Sequence, residues 1–332
     1  FKNLYPNFLF PGKTQYNKRN QDNNTLFLIE SMNPISWINT VNQILEFNPK
    51  VLFIRYWNPF FCLSLGYIAR KVKQKNKDIK IVALCDNIFS HENYYIPKLV
   101  YKFFFNTINQ FILISEYVSY DLKKIIKNPN YITLFHPIYE NYRNSISKEI
   151  AQKQLNIKSK KVVLFFGLIR KYKGFEVFLK IANKFKNIDE NILFLASGEC
   201  YEKKQKYDKL INKYQLGKNF KWINEYIDDS KVHLYFSACD LVLLPYHNAT
   251  QSGIIPLSYN YNKPVIANNV GGNAEMIDNN KSGWIVSNND VNQYVEIINN
   301  NIYSLDQFEE YINIEFKHRF SWKNFVSQLI KS

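Results

Sequence analysis

Glycine is scarce here, with 10 in 332 residues, and alanine is sparse beside abundant Asn, Ile, Lys, Tyr and Phe. This skew matches AT-rich coding better than any functional demand, and the net charge of +15 carries part of the same bias. No G-x4-G-K run exists, which excludes a Walker A loop even at the Pro-Gly turn of "FPGKTQYNKR", residues 10–19. The four cysteines, Cys62, Cys85, Cys200 and Cys239, form no C-x-x-C pair, and the five histidines do not cluster with them. A zinc site is therefore not expected, and buried free thiols in a reducing compartment are. No apolar run reaches the ~18 residues of a membrane-spanning helix. No repeat, low-complexity block or signal-peptide pattern stands out, and the first residue is not Met, so a fragment or processed chain is expected.

What is present is a chain with 46% hydrophobic residues, enough for a sizeable core. Its length suits two domains of ordinary size. Nearly continuous apolar runs alternate with helical patterns, which predicts parallel sheets covered on both faces. In the first half the predicted strands are 25–30, 51–55, 79–85, 111–115 and 131–135, with helices at 35–47, 60–76, 96–108 and 117–127. A second series has strands at 161–167, 191–197, 219–223, 240–246 and 264–269, with helices near 174–187, 203–214, 231–237 and 252–260. The polar, Pro-containing stretch 136–149 predicts a linker, placing the domains at 1–145 and 146–332. The stretch 320–330 predicts an amphipathic helix able to pack on either domain. Two doubly wound α/β domains in tandem bind ligands at the carboxyl ends of their strands.

Two loops of the second domain carry chemistry. In "FFGLIRKYKGFEVFL" a strand ends at Gly167, then Arg170, Lys171 and Lys173 precede a helix. Cations before a helix start make an anion site, although an exposed basic connection reads the same way. Three of the ten glycines fall in "HNATQSGIIPLSYNYNKPVIANNVGG", residues 247–272. Gly253 permits close backbone approach, so the amides of Ser252, Gly253 and Ile254 are expected to face an anion at the helix start. Thr250 and Ser252 also suit helix capping, which is compatible with anion binding. Two such loops on one sheet edge fit a diphosphate better than a lone anion.

The ordered blocks "GLIRKYKG", "SGECYEKKQKY" and "YFSACDLVLLPYHNATQSGIIPLSYNYNKPVIANNVGGNAEMIDNNKSGWIVSNND" resemble the donor domain of bacterial glycosyltransferase family 4, over roughly residues 161–290. These are group 1 glycosyltransferases of GT-B fold, and the likeness is to a TQSG-containing subgroup. The resemblance implies two Rossmann-like domains facing a central cleft, closing to limit hydrolysis, and metal-independent hexosyl transfer from a nucleotide-diphosphate sugar. It implies no cofactor beyond that co-substrate, and a glycan or lipid-linked acceptor in cell-surface polysaccharide or lipopolysaccharide assembly. Lys173 matches the family lysine on the donor diphosphate. The family arginine position holds Leu168, and Arg170 substitutes from two positions later. The family's E-x7-E carboxylates fall on Ala249 and Leu257, leaving Gln251 and Ser252 to bond the donor. Gly271, Gly272 and Glu275 match a GGxxE turn, in which Glu275 is a donor contact or helix cap. The family's opening βα unit has no counterpart before residue 25.

For the first domain, "LFPGKTQY", "RYWNPF" and "DN…HE" resemble the acceptor side of that subgroup. Asp86 or His91 is expected to take or orient the acceptor proton, with Lys13, Arg55 and Glu92 lining the acceptor. The family histidine position is occupied by Cys85, and a structural ion pair suits Arg55 equally. His247 neighbours the donor loop, whereas His136, His233 and His318 read as structural. Lys98 and Lys102 with their aromatic neighbours, and the lysine-rich 69–80, fit either a core helix with a solvated charge run or contact with an anionic membrane. A cytoplasmic protein peripheral to the inner face of the plasma membrane is expected. A non-catalytic nucleotide-sugar or glycan-binding protein is the alternative. The +15 charge alone admits nucleic acid, but no nucleic-acid motif accompanies it.

Overall fold

The computed structural model describes residues 1–2, 4, 25–90, 96–158 and 160–331. The chain divides into two compact units, Phe1–Leu134 and Phe135–Ser332. In the first, β1 (Val51–Tyr56), β2 (Lys80–Cys85), β3 (Gln110–Leu113) and β4 (Tyr131–Thr133) form a parallel sheet in sequential order. The helices are α1 (Pro34–Phe47), α2 (Cys62–Lys75), α3 (Lys98–Phe105) and α4 (Glu116–Lys123). α1 starts where Asn33 accepts from the Ile35 amide at 3.1 Å and Pro34 fixes the first turn. Tyr101, Phe104 and Phe105 of α3 are buried against Tyr56, so most of its aromatic cluster belongs to the core. Lys98 and Lys102 stay exposed.

The stretch 25–30, expected as a strand, is not a ladder strand. Only Glu30 is bridged, and Leu26 and Phe27 are 67% and 48% exposed. Its apolar residues are not buried, so nothing fixes the period-two pairing that the run suggested.

The second unit holds β5 (Lys161–Phe166), β6 (Ile192–Ser197), β7 (Phe220–Ile223), β8 (Leu241–Leu244), β9 (Val265–Asn268) and β10 (Gly283–Val286). All are parallel, in the order β10-β9-β8-β5-β6-β7. The helices are α5 (Lys148–Gln154), α6 (Phe175–Phe185), α7 (Lys204–Lys213), α8 (Val232–Ala238), α9 (Ile254–Asn260), α10 (Val291–Asn301) and α11 (Asp306–Tyr311). One face of the sheet buries Val163 and Phe165 with Phe175, Phe178 and Phe194. The other buries Val162 and Leu164 with Phe236, Tyr259 and Phe316. The chain runs outward from β5 through β6 and β7, then returns to the far side of β5 as β8. That reversal makes a topological switch between β5 and β8, where the following loops diverge and leave a crevice. The terminal helix Trp322–Lys331 packs Phe325 against Phe135, with ring centroids 5.9 Å apart. All four cysteines are free: three are buried and Cys200 is half-buried.

Candidate functional site

The loops after β5 and β8 leave the sheet at this switch. Gly167 follows β5 with φ +96°, and a Cβ there would stand 3.1 Å from Lys173 Nζ and 3.7 Å from Ile254 Cδ1. The ammonium of Lys173 therefore lies over the end of β5, in the neighbourhood of the Ile254 side chain. It also lies 5.7 Å from the centre of the buried Tyr246 ring. No carboxylate pairs with it among the described residues, and loss of hydration, then the charge of Arg170, lowers its pKa to about 8. The Arg170 guanidinium lies 5.2 Å from the Tyr201 ring. Lys173 thus feels a second positive charge, from Arg170, and has no carboxylate partner among the described residues, which favours an anionic guest.

Gly174 joins the two loops. Its φ is +66°, and a Cβ would fall 1.8 Å from the Pro245 carbonyl oxygen, so only glycine lets the strands of chain meet. Beside it the His247 amide donates to Tyr172 O at 2.7 Å. His247 Nε2 meets the Glu176 carboxylate, and Asn289 Nδ2 contacts His247 Nδ1 at 3.2 Å. Asn289 and Asn268 also donate to Tyr246 O at 3.2 and 2.8 Å. The loop that carries Lys173 and the loop that opens α9 are therefore one hydrogen-bonded body.

The sequence-predicted amides divide. Ile254 N donates to Ser252 Oγ at 3.3 Å and Ile255 N to Ser252 O at 3.2 Å, whereas the N-cap of α9 is Gly253, without a side-chain cap bond. The amides of Ser252 and Gly253 donate to no acceptor among the described residues. Of the three amides expected to face an anion, that of Ile254 is the one that bonds within the loop, to Ser252 Oγ. Thr250 O accepts from Gly272 N at 2.8 Å, and Gly271 stands against Ala249, which ties the TQSG loop to the GGxxE turn. Gln251 Oε1 is buried without a partner among the described residues, whereas Glu275 is exposed. Ala249 and Leu257 are 1% and 4% exposed. The positions expected to have lost carboxylates are packed as core.

Three side chains near these loops escaped the sequence reading. A Cβ on Gly253 would stand 2.6 Å from the Tyr139 hydroxyl, which contacts His136 Nε2 at 3.4 Å. Tyr139 and His136 come from the segment read as a linker, and His136 from those read as structural. Tyr246 lies under Lys173 within an ordinary-looking strand end. The glycine at 253 was the one usable signal, since it leaves room for something to approach.

In the first unit, Asp86 and Arg55 stand at the carboxyl ends of β2 and β1. Arg55 Nη2 lies 2.9 Å and Nε 3.0 Å from Asp86 Oδ2. The two sequence-predicted residues are thus brought together as an ion pair. Cys85, at the position of the family histidine, is fully buried, and burial pushes its thiol far from ionisation. It offers no exposed base. Lys13, His91 and Glu92 lie outside the described residues.

Two parallel-sheet α/β units, one with a cation that is unpaired among the described residues at its topological switch, define a two-domain Rossmann-like protein. A family model for the glycosyl transferases group 1 matches residues 147–313, and the chain belongs to that family. It is 19% identical over 290 residues to spore coat protein SA of Bacillus subtilis (strain 168), covering 81% of this chain and 76% of that protein. Among solved structures it resembles a glycosyltransferase from Rickettsia africae, with TM-score 0.72 and 17% identity over 91% of this chain and 82% of the other. It also resembles Anabaena HepE in complex with UDP-glucose, with TM-score 0.70 and 16% identity over 89% of this chain and 81% of the other. These likenesses establish the GT-B fold. No helix among the described residues is long and apolar enough to cross a membrane.

Proposed function

We propose that this chain transfers a hexosyl group, without a metal, from a nucleotide-diphosphate sugar to a glycan or lipid-linked acceptor in cell-surface polysaccharide assembly. The observation that carries the reading is the Lys173 ammonium, unpaired among the described residues, over the end of β5 and near the Ile254 side chain. A departing nucleoside diphosphate accumulates charge as the glycosidic bond breaks. Lys173 and Arg170, with the free amides of Ser252 and Gly253, would stabilise that charge more strongly in the transition state than in the ground state. Gln251, whose buried carbonyl oxygen lacks a partner, would accept from a donor hydroxyl. In the first unit, Asp86 would orient the acceptor hydroxyl and Arg55 would hold Asp86 in place. His91 would serve as the alternative base, with Lys13 and Glu92 on the acceptor side. We place the protein in the cytoplasm, peripheral to the inner face of the plasma membrane, where lipid-linked acceptors reside.

The test is a panel of nucleotide-diphosphate sugars assayed for transfer and hydrolysis, with Lys173→Ala beside the wild-type chain. The reading predicts turnover of at least one donor and its loss in the variant. The apolar burial of Ala249 and Leu257 favours a second reading, a degenerate donor-binding protein. Tight donor binding with no turnover anywhere on the panel supports that second reading.

A further inference from the structure

A groove of about 450 Å³ lies in the second unit, between β10 and α10. Its wall is one face of α10. Gln293, Glu296, Ile297 and Asn300 recur at helical spacing and project the same way. The facing turn supplies Asn279 and Asn280. Ile285 and Ile297, both half-buried, give the groove an apolar surface.

The polar groups are only partly used by the protein. Asn279 Oδ1 accepts from Ile285 N at 3.1 Å, and Gln293 Oε1 accepts from Ser287 N at 3.1 Å. Their amide nitrogens have no protein acceptor, and no protein hydrogen bond involves the side chains of Asn280, Glu296 or Asn300 among the described residues. None of the residues lining the groove is cationic, although the chain carries a net charge of +15. Charge therefore disfavours an anionic guest here. Primary amides donate and accept, and a carboxylate accepts from two hydroxyls at once. Free amides beside one carboxylate and a small apolar surface match a guest with many hydroxyls and a patch of C–H.

We propose that the groove between β10 and α10 is a second carbohydrate site that binds an uncharged glycan. Glu296 would take a pair of neighbouring hydroxyls, Asn300 and Asn280 would bond those on either side, and Ile297 would lie under the apolar face of the sugar ring. The inference does not rest on the donor site: it needs neither Lys173 nor a nucleotide.

The experiment measures binding of neutral oligosaccharides of glucose, galactose, mannose and N-acetylglucosamine to the whole chain, without nucleotide sugar. Ligand-observed NMR and calorimetry supply the readouts, and a polyuronate and a neutral hydrophilic peptide serve as comparisons. Glu296→Ala and Asn300→Ala are surface changes. Each is expected to weaken neutral-glycan binding at least tenfold while leaving affinity for UDP unchanged. Lys173→Met should leave glycan binding intact. The proposal is overturned if no neutral glycan binds, if binding ignores both groove variants, or if the polyuronate or peptide binds in preference.

Discussion

Lys173 reaches back over Gly167: its ammonium lies 3.1 Å from the place a Cβ on that glycine would occupy. The missing side chain at Gly167 is what lets the cation stand at the end of β5 rather than in solvent. Poor hydration, and then the charge of another cation, Arg170, lower its pKa to about 8. A protein keeps such a cation where an arriving anion repays the cost.

The first consequence is a pH dependence. In the free chain Lys173 loses its proton as pH rises through about 8. A bound diphosphate favours the charged form and raises that pKa. Affinity for a nucleoside diphosphate should be greatest below the free value and fall as pH climbs above it, with proton uptake on binding near pH 8. Calorimetry in buffers of different ionisation enthalpy measures both, and Lys173→Met should flatten the profile.

The second concerns stability. Folding places Lys173 where its charged form is disfavoured, so at neutral pH the residue opposes the folded state. Lys173→Met keeps the aliphatic length over Tyr246 and removes the charge. Its thermal midpoint should rise by a few degrees without ligand, corresponding to roughly 1 kcal/mol. UDP should raise it less than it raises that of the wild type. A midpoint at or below that of the wild type would show that the charge is already compensated.

Gly174→Ala should do the reverse. The residue has φ +66°, and an added Cβ would overlap the Pro245 carbonyl. Backbone strain and forced separation of the loops should cost about 2–4 kcal/mol by denaturant unfolding. Gly217→Ala, with nothing within 4 Å of its Cβ position, serves as the mild control.

His247→Ala tests whether the two loops act as one body. It leaves the His247 amide bond to Tyr172 possible but removes the side-chain contacts to Glu176 and Asn289. Because no donor contact is assigned to the imidazole, the expected result is a KM for the nucleotide sugar raised about threefold to tenfold, with a smaller change in kcat. An unchanged KM would make this network purely structural.

Ala249→Glu is expected to fail as a repair of the family carboxylate. Ala249 is 1% exposed and its carbonyl lies against Gly271. A carboxylate introduced there has no partner, so destabilisation of at least about 2 kcal/mol is expected in urea unfolding, without a gain in turnover.

Much of the fold was legible because parallel strands buried on both faces leave long apolar runs. β5, β6, β7, β8 and β9 fall within the runs read from the sequence. β10 was not read, because "GWIV" is short and follows a polar turn. α10 is rich in Asn and buries only Tyr294 and Ile298, so its period is faint. α5 starts within the last two residues of the stretch read as linker, runs past its end, and buries only Ala151 and Gln152. At the site, Lys173, Arg170 and Gly253 were visible because their types and local spacing carry the chemistry. Tyr139 and Asn289 were not, since their closeness to these loops is made by distant parts of the chain. The pairing of Arg55 with Asp86 follows from the register of β1 on β2, which the sequence does not print.

The most direct test is isothermal titration of the wild-type chain and Lys173→Ala with UDP, ADP and GDP at pH 7 in low-salt buffer. A charge-assisted contact of about 1.5–3 kcal/mol corresponds to a loss of roughly tenfold to a hundredfold. The account predicts that at least one nucleoside diphosphate binds the wild type and weakens by that factor in the variant. Equal affinity for wild type and variant would contradict it.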